Sequence, residues 1–136
     1  MESTMRLGRV LMAGLYIAAG VGHFVVTRAY VHIMPDYLPA HREIVLLSGA
    51  AEIAGGIGLL TRPTRRPAAW GIILLLIAVF PANLWMVQHP ERYPNIPLWA
   101  MWLRLPLQLA LIAWAWQYTK PERGPARPES PVIPAA

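Results

Sequence analysis

Four long apolar runs separated by short polar connections constrain this chain more than any other feature. They cover about residues 7–27, 44–61, 68–88 and 97–118. Each is close to the ~20 residues a helix needs to cross ~30 Å of hydrocarbon. In lipid, every backbone N–H and C=O must be satisfied within the protein, so runs of this length form helices. The expectation is an all-α fold: a four-transmembrane-helix bundle with up-down topology. It occupies residues 1–119, and a tail over 120–136 has too many prolines and too little apolar pattern to fold. The run Ala18-Ala19-Gly20 resembles a signal-peptide cleavage site, but the apolar stretch continues through Phe24, Val25 and Val26, which suits an uncleaved helix.

Composition agrees. Hydrophobic residues make up 56% of the chain and charged residues 14%, against about 25% charged in soluble domains. The net charge of +5 is spread in small clusters between the spans. This is the pattern that sets membrane orientation, so no nucleic-acid partner is expected. Arg6, Arg9, Arg62, Arg65, Arg66, Lys120, Arg123 and Arg127 would share one side; only Arg28, Arg42 and Arg92 fall on the other. Eight against three predicts a multi-pass protein of the inner (plasma) membrane with both termini cytoplasmic. Cysteine is absent, which removes disulfides, thiolate metal sites and thiol redox relays.

The informative residues are polar ones inside the spans, where an ionised group costs about 2.5–3.5 kcal/mol near the bilayer centre. These are His23, Glu52, Asn83, Arg104 and Gln108. Counting ~1.5 Å per residue from each span end, all four spans contribute a polar group to the outer half. On the second span, Ser48, Glu52 and Gly56 recur every four residues, with Gly49 and Gly55 widening the stripe, so Glu52 is expected to face a neighbouring helix. Arg104 and Gln108 share a face of the fourth span. Pro81 and Pro106 free the carbonyls of Ile77 and Trp102, which a polar core could meet. Two arrangements fit. One is a structural ion pair between Glu52 and Arg104, supported by Asn83 and Gln108. The other is a small-molecule or proton site open to the outer side, with His23 and Glu52 exchanging protons and Asn83, Arg104 and Gln108 binding the ligand. The connection from Ile33 to Pro39, apolar residues between prolines, is placed to cover such a site.

His23, His32, His41 and His89 all fall on the outer side near Met34 and Met86, a chemistry that suits copper, but no spacing fixes a ligand geometry and no metal is expected. The segment Gly55-Gly56-Ile57-Gly58 lies inside a span and serves packing, not phosphate binding. Ser48 has no obvious base partner beyond the distant His23.

Several stretches together resemble the DoxX-like family of small four-helix membrane proteins. They are Ala-Gly-Val-Gly-His-Phe at 19–24, Ile-Met-Pro-Asp-Tyr-Leu-Pro at 33–39, Ser-Gly-Ala-Ala-Glu-Ile-Ala-Gly-Gly-Ile-Gly-Leu-Leu at 48–60, Val-Phe-Pro-Ala-Asn at 79–83 and Arg-Leu-Pro-Leu-Gln at 104–108. The family takes its name from a subunit associated with thiosulfate:quinone oxidoreductase. The resemblance therefore implies a redox-associated membrane protein, a quinone as the cofactor, and a membrane redox complex or homo-oligomer as the assembly. Its recurrent polar positions map onto His23, Glu52, Asn83, Arg104 and Gln108. A related four-helix architecture reduces quinones with cysteines, and this chain has none. A small permease or export accessory, and an assembly partner without chemistry, are the competing functions.

Overall fold

A computed structural model of the chain describes residues 1–121, so the expected disordered tail lies, from residue 122 onward, outside the described residues. Five helices follow in order: α1 Glu2–Val25, α2 Thr27–His32, α3 His41–Leu60, α4 Arg65–Gln88 and α5 Leu98–Trp116. One 3-10 turn, Pro90–Arg92, separates α4 from α5, and no strand occurs among the described residues. All but the short α2 are long and apolar enough to cross a membrane. The fold is therefore the expected all-α bundle of four span-length helices.

The expected first span differs at both ends. Helix α1 begins at Glu2, ahead of the apolar run, because a carboxylate in the first turn complements the helix dipole. It stops at Val25, where Thr27 intervenes. The Thr27 hydroxyl donates to the carbonyls of His23 at 2.7 Å and Phe24 at 3.1 Å. A side chain that takes helix carbonyls this way competes with the backbone ladder. The chain turns into α2 instead of leaving the bundle. Both α4 and α5 run on through their internal prolines, Pro81 and Pro106.

Helix α1 packs on α3, α3 on α4, and α4 on α5. The closest approach is α1 to α3, and glycine makes it possible. A Cβ on Gly49 would lie 2.5 Å from the Cβ of His23, and one on Gly20 would lie 2.6 Å from the Gly49 carbonyl oxygen. Without a hydrophobic drive between helices in lipid, such backbone approach is the main source of packing. The expected glycine stripe divides in two. Gly49 and Gly56, two turns apart, face α1, while Gly55 meets Ile72 of α4. One residue turns a helix by about 100°, so Gly55 and Gly56 cannot serve one neighbour. The ring closes where α5 returns to α1, with Gly8 against the side chains of Trp114 and Tyr118.

Two packed clusters occupy opposite ends. The terminal half is filled by Met12, Tyr16, Leu59, Ile72, Ala115 and their neighbours. At the other end, the loop half, Met86, Tyr93 and Met101 gather with Ile33 and Trp85. Around the bundle, Leu47, Leu74 and Leu109 stand out, all more than 60% exposed. In water such side chains would form a large apolar surface; against hydrocarbon they are at home.

Candidate functional site

Tyr16, Gly20 and His23 recur at spacings of four and three, so they share the face of α1 that meets α3. The absence of a side chain at Gly20 and Gly49 draws the His23 ring onto α3. There Nδ1 lies 2.8 Å from the carbonyl oxygen of Val45. A carbonyl oxygen only accepts, so Nδ1 carries the proton and donates it to Val45. The Ser48 hydroxyl donates to the same carbonyl at 2.9 Å and lies 3.1 Å from Nδ1. Tyr30, folded back by the break at Val26, lays its ring over the imidazole at a centroid distance of 4.0 Å. With Nδ1 assigned, the chemistry of the ring moves to Nε2, which lies 3.3 Å from Oε2 of Glu52.

That contact makes His23 the ion-pair partner of Glu52: as imidazolium and carboxylate the two would be neutral overall. Oε2 is buried and has no aligned hydrogen-bond partner among the described residues, so it keeps capacity for a donor from outside the protein.

Across the bundle, a second chain of polar groups is ordered by the same logic. Gln108 donates its Nε2 to the carbonyl of Leu76. Its Oε1 is thereby left to accept from Nδ2 of Asn83 at 2.8 Å. The carbonyl met is that of Leu76, the residue before the Ile77 carbonyl that Pro81 frees. Arg104, one turn before Gln108 on α5, donates Nη1 to Sδ of Met86 at 3.7 Å. No carboxylate lies within ion-pair distance of it among the described residues.

All five residues selected from the sequence line one cavity of about 330 Å³, together with Tyr16, Tyr30 and Ser48. The rest of its wall is mainly aliphatic, including Leu75, Val79 and Leu111. It lies between the two packed clusters. The volume sits at the small end of the ~300–1,000 Å³ typical of ligand pockets. Ile33, Met34 and Leu38 contribute to its wall from the α1–α3 connection. That connection is clasped in place. Pro35 is fully buried, Tyr37 packs edge-on against Trp85, and Asp36 pairs with Arg92. His41 donates Nε2–H to the Pro35 carbonyl at 3.0 Å, and the Tyr93 hydroxyl donates to that of Ile33 at 3.3 Å.

One sequence-based pairing is corrected. Glu52 meets His23, not Arg104. Helix α3 packs on α1 and α4, whereas α5 packs on α4, so Arg104 faces the carboxylate only across the cavity. Sequence reasoning also missed Tyr16, which is 4% exposed, its buried hydroxyl without a hydrogen-bond partner among the described residues. Its seven-residue spacing from His23 was the available signal. The histidines are dispersed: His89 stacks on Trp85 and donates to its carbonyl at 3.1 Å, His41 holds Pro35, and His23 holds Val45. No group of three or more His, Asp or Glu side chains converges among the described residues.

No curated protein and no solved structure matches the chain. A family model does: the one described as Domain of unknown function (DUF8561) matches residues 12–119, from the middle of α1 to just past α5, and the chain belongs to that family.

Proposed function

We propose that this protein is a membrane subunit or accessory of a redox system that binds a small molecule with an acceptor-rich head group, a quinone or a small anion, in the cavity of the loop half. Arg104 anchors the ligand, with Asn83 and Gln108 setting the polar wall beside it. His23 and Glu52 exchange the proton they share. In this reading the chain lies in the plasma membrane with both termini cytoplasmic, as the eight-to-three distribution of basic residues favours. The DoxX-like resemblance supports the redox association.

The observation that carries the proposal is the cavity itself. A bundle held only by structural polar contacts would close around them; here polar groups from four span-length helices surround about 330 Å³ of space. Purification in mild detergent, followed by mass spectrometry of bound small molecules, tests it. Wild-type protein is expected to retain a quinone or an organic anion, and His23→Ala to fold normally yet lose most of it. Wild-type protein that retains neither, with His23→Ala, Asn83→Ala and Gln108→Ala leaving every binding measurement unchanged, overturns the proposal.

A further inference from the structure

The proposal above leaves the charge of the ligand open, and the surroundings of Arg104 bear on it. Among the described residues, Glu52 is the one carboxylate lining the cavity, and it lies 3.3 Å from Nε2 of His23, outside ion-pair reach of Arg104. Asn83 and Gln108 carry no charge, and Tyr16 and Tyr30 are phenols. Arg104 is always protonated. Among the described residues the guanidinium is met only by the Met86 thioether, so no counter-charge touches it. A cation with no counter-charge inside a bundle is costly. A water molecule or neutral carbonyl would solvate it, but only an anion cancels it.

We infer that the ligand is a small amphiphilic monoanion: one anionic oxygen head group, a carboxylate or its equivalent, on an apolar body. The head belongs at Arg104, whose planar fork suits two oxygens. The body belongs against the aliphatic wall formed by Leu75, Val79 and Leu111. Size limits it further, since about 330 Å³ corresponds to roughly ten water-sized volumes of ~30 Å³. A single aromatic acid or a medium-chain acid fills that space. A lipid would have to insert its head group and leave its acyl chains outside. Tyr16, whose buried hydroxyl has no partner among the described residues, offers one more donor on the same cavity wall. This inference rests on the cavity being the ligand site.

The test uses the full chain in phosphatidylcholine nanodiscs with benzoate and benzamide, which match in shape and differ in charge. Binding followed by thermal shift and calorimetry is expected to favour benzoate by about tenfold or more. Arg104→Gln should erase that preference, Arg104→Lys should keep part of it, and circular dichroism should show both folded. Should Arg104→Gln fail to fold, the wild-type comparison of the two probes still decides. Discs doped with phosphatidylglycerol form the second arm. Stabilisation that benzoate competes away identifies a soluble acid as the source, and stabilisation that benzoate leaves intact identifies a lipid head group. Either result supports an anion site. Equal binding of benzamide and benzoate, with loss of both in His23→Ala, overturns the charge inference and leaves the ligand site standing. Binding of neither probe, in either disc, overturns both.

Discussion

The two halves of the bundle are built from the same four helices and differ in what those helices place inside. In the terminal half, Met12, Leu59 and Ala115 are fully buried and Ile72 nearly so. The loop half holds His23, Glu52, Asn83, Arg104 and Gln108 around open space, capped by a clasp of Tyr37, Trp85, Asp36 and Arg92. The terminal half can rely on dispersion between close-packed aliphatic groups. The loop half relies on it less: α1 and α3 meet closely at Gly20 and Gly49, and Met86 and Met101 are buried, but a cavity separates the polar groups of α1 and α3 from those of α5. Hydrogen bonds, a salt bridge and a loop strapped over its mouth add to the packing there. The lesson is a division of labour: one half supplies the stability that lets the other stay hollow.

The largest test of this contrast is a pair of truncations. Leu59→Ala in the filled half is expected to cost about 2–5 kcal/mol, because it leaves a void that its neighbours cannot collapse into. Leu75→Ala, on the cavity wall, should cost less than about 1.5 kcal/mol, since it enlarges space that already exists. Unfolding by denaturant in a fixed detergent measures both, and equal costs would erase the distinction between the halves.

A smaller effect sharpens the account of the hollow half. His23→Gln and Glu52→Gln should be non-additive by about 1–2 kcal/mol in a double-mutant cycle, within the range for residues in direct contact. The matching cycle for Glu52→Gln and Arg104→Gln should be additive within about 0.5 kcal/mol. Coupling in the second cycle and none in the first would restore the ion pair expected from sequence alone.

The smallest effect belongs to the clasp. Burial, with the nearby Asp36 carboxylate adding to it, raises the pKa of the Tyr93 phenol above the ordinary tyrosine value. The phenol must stay neutral to donate to Ile33, so its contribution is full below the unfolded value of about 10. It is lost as pH rises through the higher folded value. Thermal melts between pH 8 and pH 11 should show an alkaline decline that Tyr93→Phe flattens, at a cost of about 0.5–1.5 kcal/mol at pH 8.

Much of this molecule was legible in its sequence because lipid simplifies the code. Run length alone marks the four span-length helices, though not the six-residue α2, and a polar residue inside a run marks an interior position. His23, Glu52, Asn83, Arg104 and Gln108 were found that way, and all five line one cavity. Which of them touch was not legible. Helix order around the ring decides that, and several orders suit one hydropathy profile. The strongest charges, Glu52 and Arg104, were therefore paired by default, while the glycines at 20 and 49 had already committed Glu52 to His23. Tyr16 and Tyr30 were missed for a related reason. An aromatic residue in or near a span is unremarkable until the backbone break at Val26 and the face shared with His23 show where it points.

The hydrogen bond from His23 to the Val45 carbonyl has a consequence for direction. A histidine that conducts protons takes one up at one ring nitrogen and releases one from the other. With Nδ1 committed to a helix carbonyl, only Nε2 remains to trade, and it opens toward Glu52 and the cavity. If the pair exchanges protons as proposed, a proton it accepts must leave by the way it came. The cluster would then act as a capacitor, charging and discharging against one side of the bundle with no current passing through to the other.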